Sequence, residues 1–149
     1  MNNKARLEKT PFVIHLREDG GGADANELAE HLGAEVAAQF GPREEAPLSV
    51  FAHDETGALV GGLNGVTHWR WLYVRHLWVA PPMRGRGLAT RLLADAEAQA
   101  RARGAIGVYI DTFNPRAAAM YEKRGFTQFG AIEDFPSGAQ RYFLCRKFT

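Results

Sequence analysis

Between Trp71 and Arg103 the chain reads WLYVRHLWVAPPMRGRGLATRLLADAEAQARAR, and no other stretch limits the fold as much. Its first third, Trp71–Val79, is aromatic and β-branched, which predicts a strand. Ala80-Pro81-Pro82 ends that strand, because proline has no N–H to donate to a ladder. The segment Arg84-Gly85-Arg86-Gly87-Leu88-Ala89 follows and opens a helical pattern. Leu88, Leu92, Leu93, Ala96 and Ala100 fall on one stripe of it, while Arg91, Asp95, Glu97, Arg101 and Arg103 face away. Gly104 closes it as a C-terminal cap. The unit is strand, glycine-rich loop, helix, and a second strand at Gly107–Phe113.

Such a loop has a physical use. The first N–H groups of a helix have no intrahelical partner and lie at the positive end of its dipole. Glycines at 85 and 87 let a phosphate approach those donors with no Cβ in the way, and Arg84 and Arg86 add positive charge. The expected ligand is phosphorylated or pyrophosphorylated. A P-loop would need Gly-Lys-Ser/Thr where this chain has Gly-Leu-Ala-Thr. The dinucleotide fingerprint fails at Thr90, which stands in place of the third glycine.

The remaining chain is ordinary for one globular domain. Its 149 residues suffice for a sizeable core, and 46% hydrophobic with 23% charged residues argues against disorder. A net charge of +1, from scattered Lys and Arg, leaves no nucleic-acid footprint. One cysteine, Cys145, excludes an internal disulfide, and the five histidines show no ligand spacing, so no metal is expected. The polar start MNNKARLEKT leads into no long apolar run. Neither a signal peptide nor a membrane span is expected, and the default location is cytoplasmic.

In chain order, Phe12–Leu16 alternates enough for a first strand. Asp24 or Asn26 can cap a helix running to about Phe40, closed by Gly41-Pro42. Leu48–Ala52 and Ala58–Val66 are paired strands around the turn at Asp54-Glu55-Thr56-Gly57. Gly61, Gly62 and Gly65 in the second of them signal a bulge or a close backbone approach. After Gly107–Phe113, expected parallel to Trp71–Val79, Asn114-Pro115 opens a short helix to Arg124, ended by Gly125. Phe126–Ile132 and Gln140–Lys147 are the last two strands.

The loop motif, read together with the preceding Leu77-Trp78-Val79-Ala80-Pro81 and the order β-α-β-β-β-α-β-α-β-β, resembles the GNAT superfamily of acyl-CoA N-acyltransferases. The similarity is strongest from Leu77 to Phe126. It implies an α/β fold: one mixed central sheet, flanked by helices, whose two central parallel strands splay apart. Residues 1–149 would form a single N-acetyltransferase domain. It implies acetyl-CoA as cosubstrate, its pantetheine arm adding to the open edge of Leu77, Trp78 and Val79, with the pyrophosphate on Arg84, Gly85, Arg86, Gly87, Leu88 and Ala89.

Asn114 matches the family asparagine that holds the pantetheine arm, although a helix cap explains it equally. Tyr121 matches the tyrosine beside the thioester sulfur that protonates the leaving thiolate. Packing of Tyr121 on Phe126 across a Schellman ending is its structural alternative. Many members place a glutamate base on the strand before the loop. This chain has Arg75 and His76 there and no carboxylate from Trp71 to Val79. His76 is the candidate base, because an imidazole can take a proton from a substrate ammonium near neutral pH. Asp111, Glu133 and Asp134 are the alternatives.

The resulting expectation is transfer of an acetyl group to a primary amine of a small molecule or a protein, by direct attack in a ternary complex. Nucleic acid and membrane are not expected partners, and a homodimer is compatible with the pattern. The missing strand carboxylate leaves a non-catalytic acyl-CoA-binding or sensing module as the alternative. A purely structural interaction domain fits poorly with two arginines and two glycines at a helix start.

Overall fold

A computed structural model describes residues 11–149. The polar start read above, residues 1–10, lies outside the described residues. The chain divides into two compact units, one ending at Pro42 and one from Arg43 to Thr149.

The first unit contains helix α1, Gly22–Phe40. It begins earlier than Asp24 or Asn26 would set it. Gly20, Gly21 and Gly22 all take positive φ, and Asp19 accepts a hydrogen bond from the Gly21 N–H at 3.1 Å, so the chain turns into the helix without a side-chain cap. Phe12–Leu16 is not a strand: it runs without regular structure and belongs to none of the ladders. Alternation alone makes no strand, because an extended segment needs a neighbour to bond its backbone.

The second unit is a six-stranded mixed sheet. Its strands are β1 (Ala46–His53), β2 (Leu59–His68), β3 (Trp71–Val79), β4 (Gly107–Thr112), β5 (Thr127–Glu133) and β6 (Gln140–Lys147). They lie in the order β1-β2-β3-β4-β6-β5, and only β3 and β4 run parallel. Helix α2 (Leu88–Ala102) joins those two, and α3 (Pro115–Lys123) follows β4. The stripe read from the sequence is the buried one: Leu92, Leu93, Ala96 and Ala100 pack with Leu63, Leu72, Val74 and Val108. Burying such side chains stabilises the fold by about 1.5–3 kcal/mol each for the larger ones.

Both helices end alike. Gly104 and Gly125 stand at positive φ, and paired bonds (Ala105 N–H to Ala100 O, Phe126 N–H to Tyr121 O) complete Schellman motifs. The Tyr121 and Phe126 rings lie 5.5 Å apart, the apolar contact such an ending favours.

Two irregularities shape the site. On one side β3 pairs with β4 only from Trp71/Gly107 to Val74/Ile110, after which the strands separate. On the other side its pairing with β2 skips a residue: Asn64 opposes His76 and Gly65 opposes Val74, leaving Arg75 as the bulged residue. The glycine signal in β2 marked this place, but the extra residue is on β3. The bulge reverses the phase of the strand. Leu72 and Val74 are buried before it, whereas Leu77 and Val79 are the inward residues after it, with His76 and Trp78 exposed.

Candidate functional site

The gap between β3 and β4 opens into a cleft of about 750 Å³. Leu77, Trp78 and Val79 form its strand wall, Arg84, Gly85, Gly87, Leu88 and Ala89 its phosphate-sized corner, and Asn114, Arg116, Ala117, Met120, Tyr121 and Arg124 its helical wall. Ten of the sequence-predicted residues therefore meet around one space. Arg86 and His76 are not among the lining residues. Arg86 reaches Met83 Sδ at 3.3 Å, and His76 stands on the exposed face of β3 with Nδ1 2.9 Å from Asn64 Oδ1.

Each wall has unspent hydrogen-bonding capacity. The Ala80 N–H bonds to Val60 O across the sheet. Strand alternation then turns the backbone groups of Val79 and Leu77 toward the gap, where β4 has already diverged. The Nε of Arg84 donates to Val79 O at 2.9 Å, which holds the loop against the end of the strand. Gly87, at φ 79°, precedes α2 without a side-chain cap, and a Cβ added there or at Gly85 would meet nothing within 4 Å. The first N–H groups of α2 thus face open space large enough for a phosphate.

On the helical wall, Asn114 is a cap in fact: its Oδ1 accepts from the Arg116 N–H at 2.9 Å. That bond uses the carbonyl only, so the side-chain NH₂ can still donate into the cleft. Tyr121 lies at the buried end, 4% exposed, and burial pushes its hydroxyl up to about 12 despite the lowering influence of Arg124. No carboxylate lines the cleft, whereas Arg84, Arg116 and Arg124 do. The site can hold an extended, multiply anionic ligand with its uncharged end against Tyr121.

Sequence reasoning missed three features. Asn64 touches His76 only because of the strand register. Arg124 carries a buried Nε with no hydrogen-bond partner. On the exposed side of the divergence, Asp111 accepts from Tyr73 Oη at 3.0 Å and from Arg141 Nε at 2.8 Å, with Tyr73 stacked on Tyr109 at 4.7 Å. Of these only Asp111 was named in advance, as an alternative base. It is held in an ion pair with Arg141 at 2.6 Å. A separate apolar cavity of about 340 Å³ holds Cys145 with His68, Trp71, Tyr109 and Phe129, apart from the residues of the cleft. Among the described residues no group of three or more His, Cys, Asp or Glu is placed to hold a metal, and no helix is long and apolar enough to cross a membrane.

Comparison with known proteins agrees with this geometry. The sequence matches the acetyltransferase (GNAT) family over residues 15–126. It is 40% identical over 121 residues to an acetyltransferase of Agrobacterium fabrum, covering 81% of this chain and 88% of that protein. It is 40% identical over 108 residues to the blasticidin-S acetyltransferase of Streptomyces morookaense, covering 70% of this chain and 79% of that one. A crystal structure described as a putative acetyltransferase from Agrobacterium tumefaciens superposes with a TM-score of 0.79 at 38% identity, over 93% of this chain and 100% of that one. Relatives named as acetyltransferases favour catalysis over a module that only binds. A divergent pair of parallel strands, an uncapped glycine-rich helix start and these relatives lead to one conclusion: the chain belongs to the GNAT family and is an acyl-CoA-dependent acetyltransferase.

Proposed function

We propose that this chain, with residues 1–149 acting as one domain, moves the acetyl group of acetyl-CoA to a primary amine of a small molecule in a ternary complex. The observation that carries the proposal is the gap between β3 and β4, which runs from the uncapped start of α2 to the buried hydroxyl of Tyr121. The pyrophosphate would rest on the N–H groups of Leu88 and Ala89 beside Gly85 and Gly87, with Arg84 and Arg86 supplying charge. The pantetheine arm would bond the open backbone of Leu77 and the N–H of Val79, past Trp78, and the NH₂ of Asn114. Its length brings the thioester to Tyr121.

With the cosubstrate filling the helical side, the acceptor must approach through the divergence from the other face of the sheet. His76 stands on that face. The Asn64 carbonyl oxygen can only accept, so the Nδ1 of His76 is the protonated nitrogen in their contact, and Nε2 keeps the lone pair a base needs. His76 therefore serves as the base that frees the amine, while Tyr121 donates a hydrogen bond to the sulfur. Cys145, in its separate cavity, has no place in the transfer, so no acyl-enzyme forms. The name of the Streptomyces relative supports a small amine acceptor and makes blasticidin S the first compound to try.

The test separates charge from backbone strain at Gly87. Both Asn and Asp tolerate positive φ better than other residues, and they have nearly the same shape. Calorimetry should show that Gly87→Asn keeps most of the coenzyme A affinity and that Gly87→Asp loses about tenfold or more, since a carboxylate would face the pyrophosphate. Equal affinities for the two variants would remove the pyrophosphate from this corner.

A further inference from the structure

Coenzyme A carries its phosphates at one end and its sulfur at the other, and the cleft carries arginines at both. Arg84 belongs to the glycine-rich corner and Arg116 to the capped start of α3. Arg124 is at the opposite end of α3, ten residues and about 15 Å of helix from Asn114. The ladders locate that end. Thr127, three residues on, is in register with Cys145, Cys145 with Tyr109, and Tyr109 with Tyr73, one pair before the divergence. Arg124 therefore stands at the closed end of the gap, where the thioester has to lie. Its Nη1 bonds Met120 O at 3.3 Å, its Nε is buried and without a partner, and no carboxylate in the cleft lining neutralises it.

We propose that Arg124 is a catalytic residue that receives the negative charge of the departing coenzyme A thiolate, with Tyr121 donating a hydrogen bond to the same sulfur. This rests on the acetyl-CoA reading of the cleft. In the step, the amine nitrogen forms a bond to the carbonyl carbon, and the carbon–sulfur bond breaks with its electron pair on sulfur. The two protons lost between substrate ammonium and product amide pass to His76 and solvent, so sulfur need take none until it is released. A guanidinium stays charged throughout and can stabilise a thiolate without proton transfer. Tyr121 could not easily protonate it: its hydroxyl, pushed up to about 12 by burial, is a much weaker acid than a thiol of ordinary pKa about 8.5. A buried Nε with no partner on a half-buried guanidinium is otherwise costly, which is the reason to look for an anion that arrives only with the reaction.

The experiment titrates the thiol of bound coenzyme A by its ultraviolet thiolate absorbance, taken as a difference against desulfo-coenzyme A, which lacks the sulfur. The charged and titratable side chains lining the cleft are Arg84, Arg116, Arg124 and Tyr121, all retained except the one changed. In the unaltered protein the thiolate should form at lower pH than in free coenzyme A. Arg124→Gln should move the midpoint up by about one unit and slow single-turnover acetyl transfer by roughly ten- to a hundredfold. Arg124→Lys should recover part of both. Desulfo-coenzyme A affinity should stay within about threefold, because the phosphates are held elsewhere. An unchanged midpoint in Arg124→Gln overturns the proposal. So does a loss confined to desulfo-coenzyme A affinity, which would make Arg124 a phosphate ligand. If the unaltered protein binds neither coenzyme A nor its desulfo analogue, the acetyl-CoA reading itself fails, a result distinct from either.

Discussion

Tyr121 has two duties, and a single substitution separates them. Its ring packs on Phe126 and belongs to the core, while the residue also lines the cleft. Tyr121→Phe keeps the first duty and removes the second. Loss of the hydroxyl should lower kcat by about 10²-fold or more where chemistry limits turnover, with coenzyme A affinity nearly unchanged. A second readout concerns alkaline stability. Burial raises this hydroxyl to about 12, so between pH 10 and 12 the unfolded chain releases a proton that the folded one retains. Stability then falls as pH rises, by up to about 1.4 kcal/mol per unit from this group alone. Urea unfolding across that range should show a shallower decline for Tyr121→Phe; an identical decline would mean that the hydroxyl is not buried in solution. Tyr121 and Asn114 were legible in the sequence because a cap, a proline and a closing glycine fix their helix locally. Arg124 and Asn64 were not. Their significance depends on a missing partner and on a strand register, neither of which is a local property.

Among the elements, the bulge in β3 has the largest effect for the smallest change. One extra residue at Arg75 turns Leu77 and Val79 toward the cleft and His76 away from it. Gly65, opposite the bulge, permits it: a Cβ there would lie 2.0 Å from Tyr73 O, a backbone atom that cannot move aside alone. Gly65→Ala should destabilise the protein by about 2 kcal/mol or more and reduce acetyl transfer in whatever fraction folds, measured by urea unfolding and thiol release. Wild-type stability and rate would show that the strand accommodates the side chain without losing the bulge. Glycines in an otherwise apolar strand announced a close approach, and the sequence went no further. Strand boundaries moved by a residue or two, as expected where ladders, not propensities, decide the ends. Phe12–Leu16 failed for a related reason, because its alternation had no ladder to join.

At the scale of the whole molecule, the family and the order of elements after the failed first strand followed from one strand-loop-helix unit, since a parallel connection through a helix leaves few topologies. The divergence itself was implied only by family resemblance. Nothing in the residues of β3 or β4 states how many of them pair. The observed ladder, four pairs long, leaves Leu77 and Val79 without a partner on β4, and Arg84 takes only the Val79 carbonyl. A ligand that fills this gap should stabilise the fold by mass action, so the melting temperature should climb with coenzyme A concentration well above its dissociation constant. Amide hydrogens of residues 77 and 79 should also exchange more slowly when it is bound; unchanged exchange there would show that the arm does not bond this edge.

The same divergence bears on a hazard that most sheets face at their margins. Unpaired strand edges invite a strand from another chain, and proteins blunt them with charge, proline or brevity. Here the vacant edge is interior: β4 is its neighbour in the sheet, and α3 walls the cleft into which it opens. In the binding mode proposed above, the enzyme keeps unpaired backbone open for its cosubstrate at a place in the sheet that offers no outer edge as a template for aggregation.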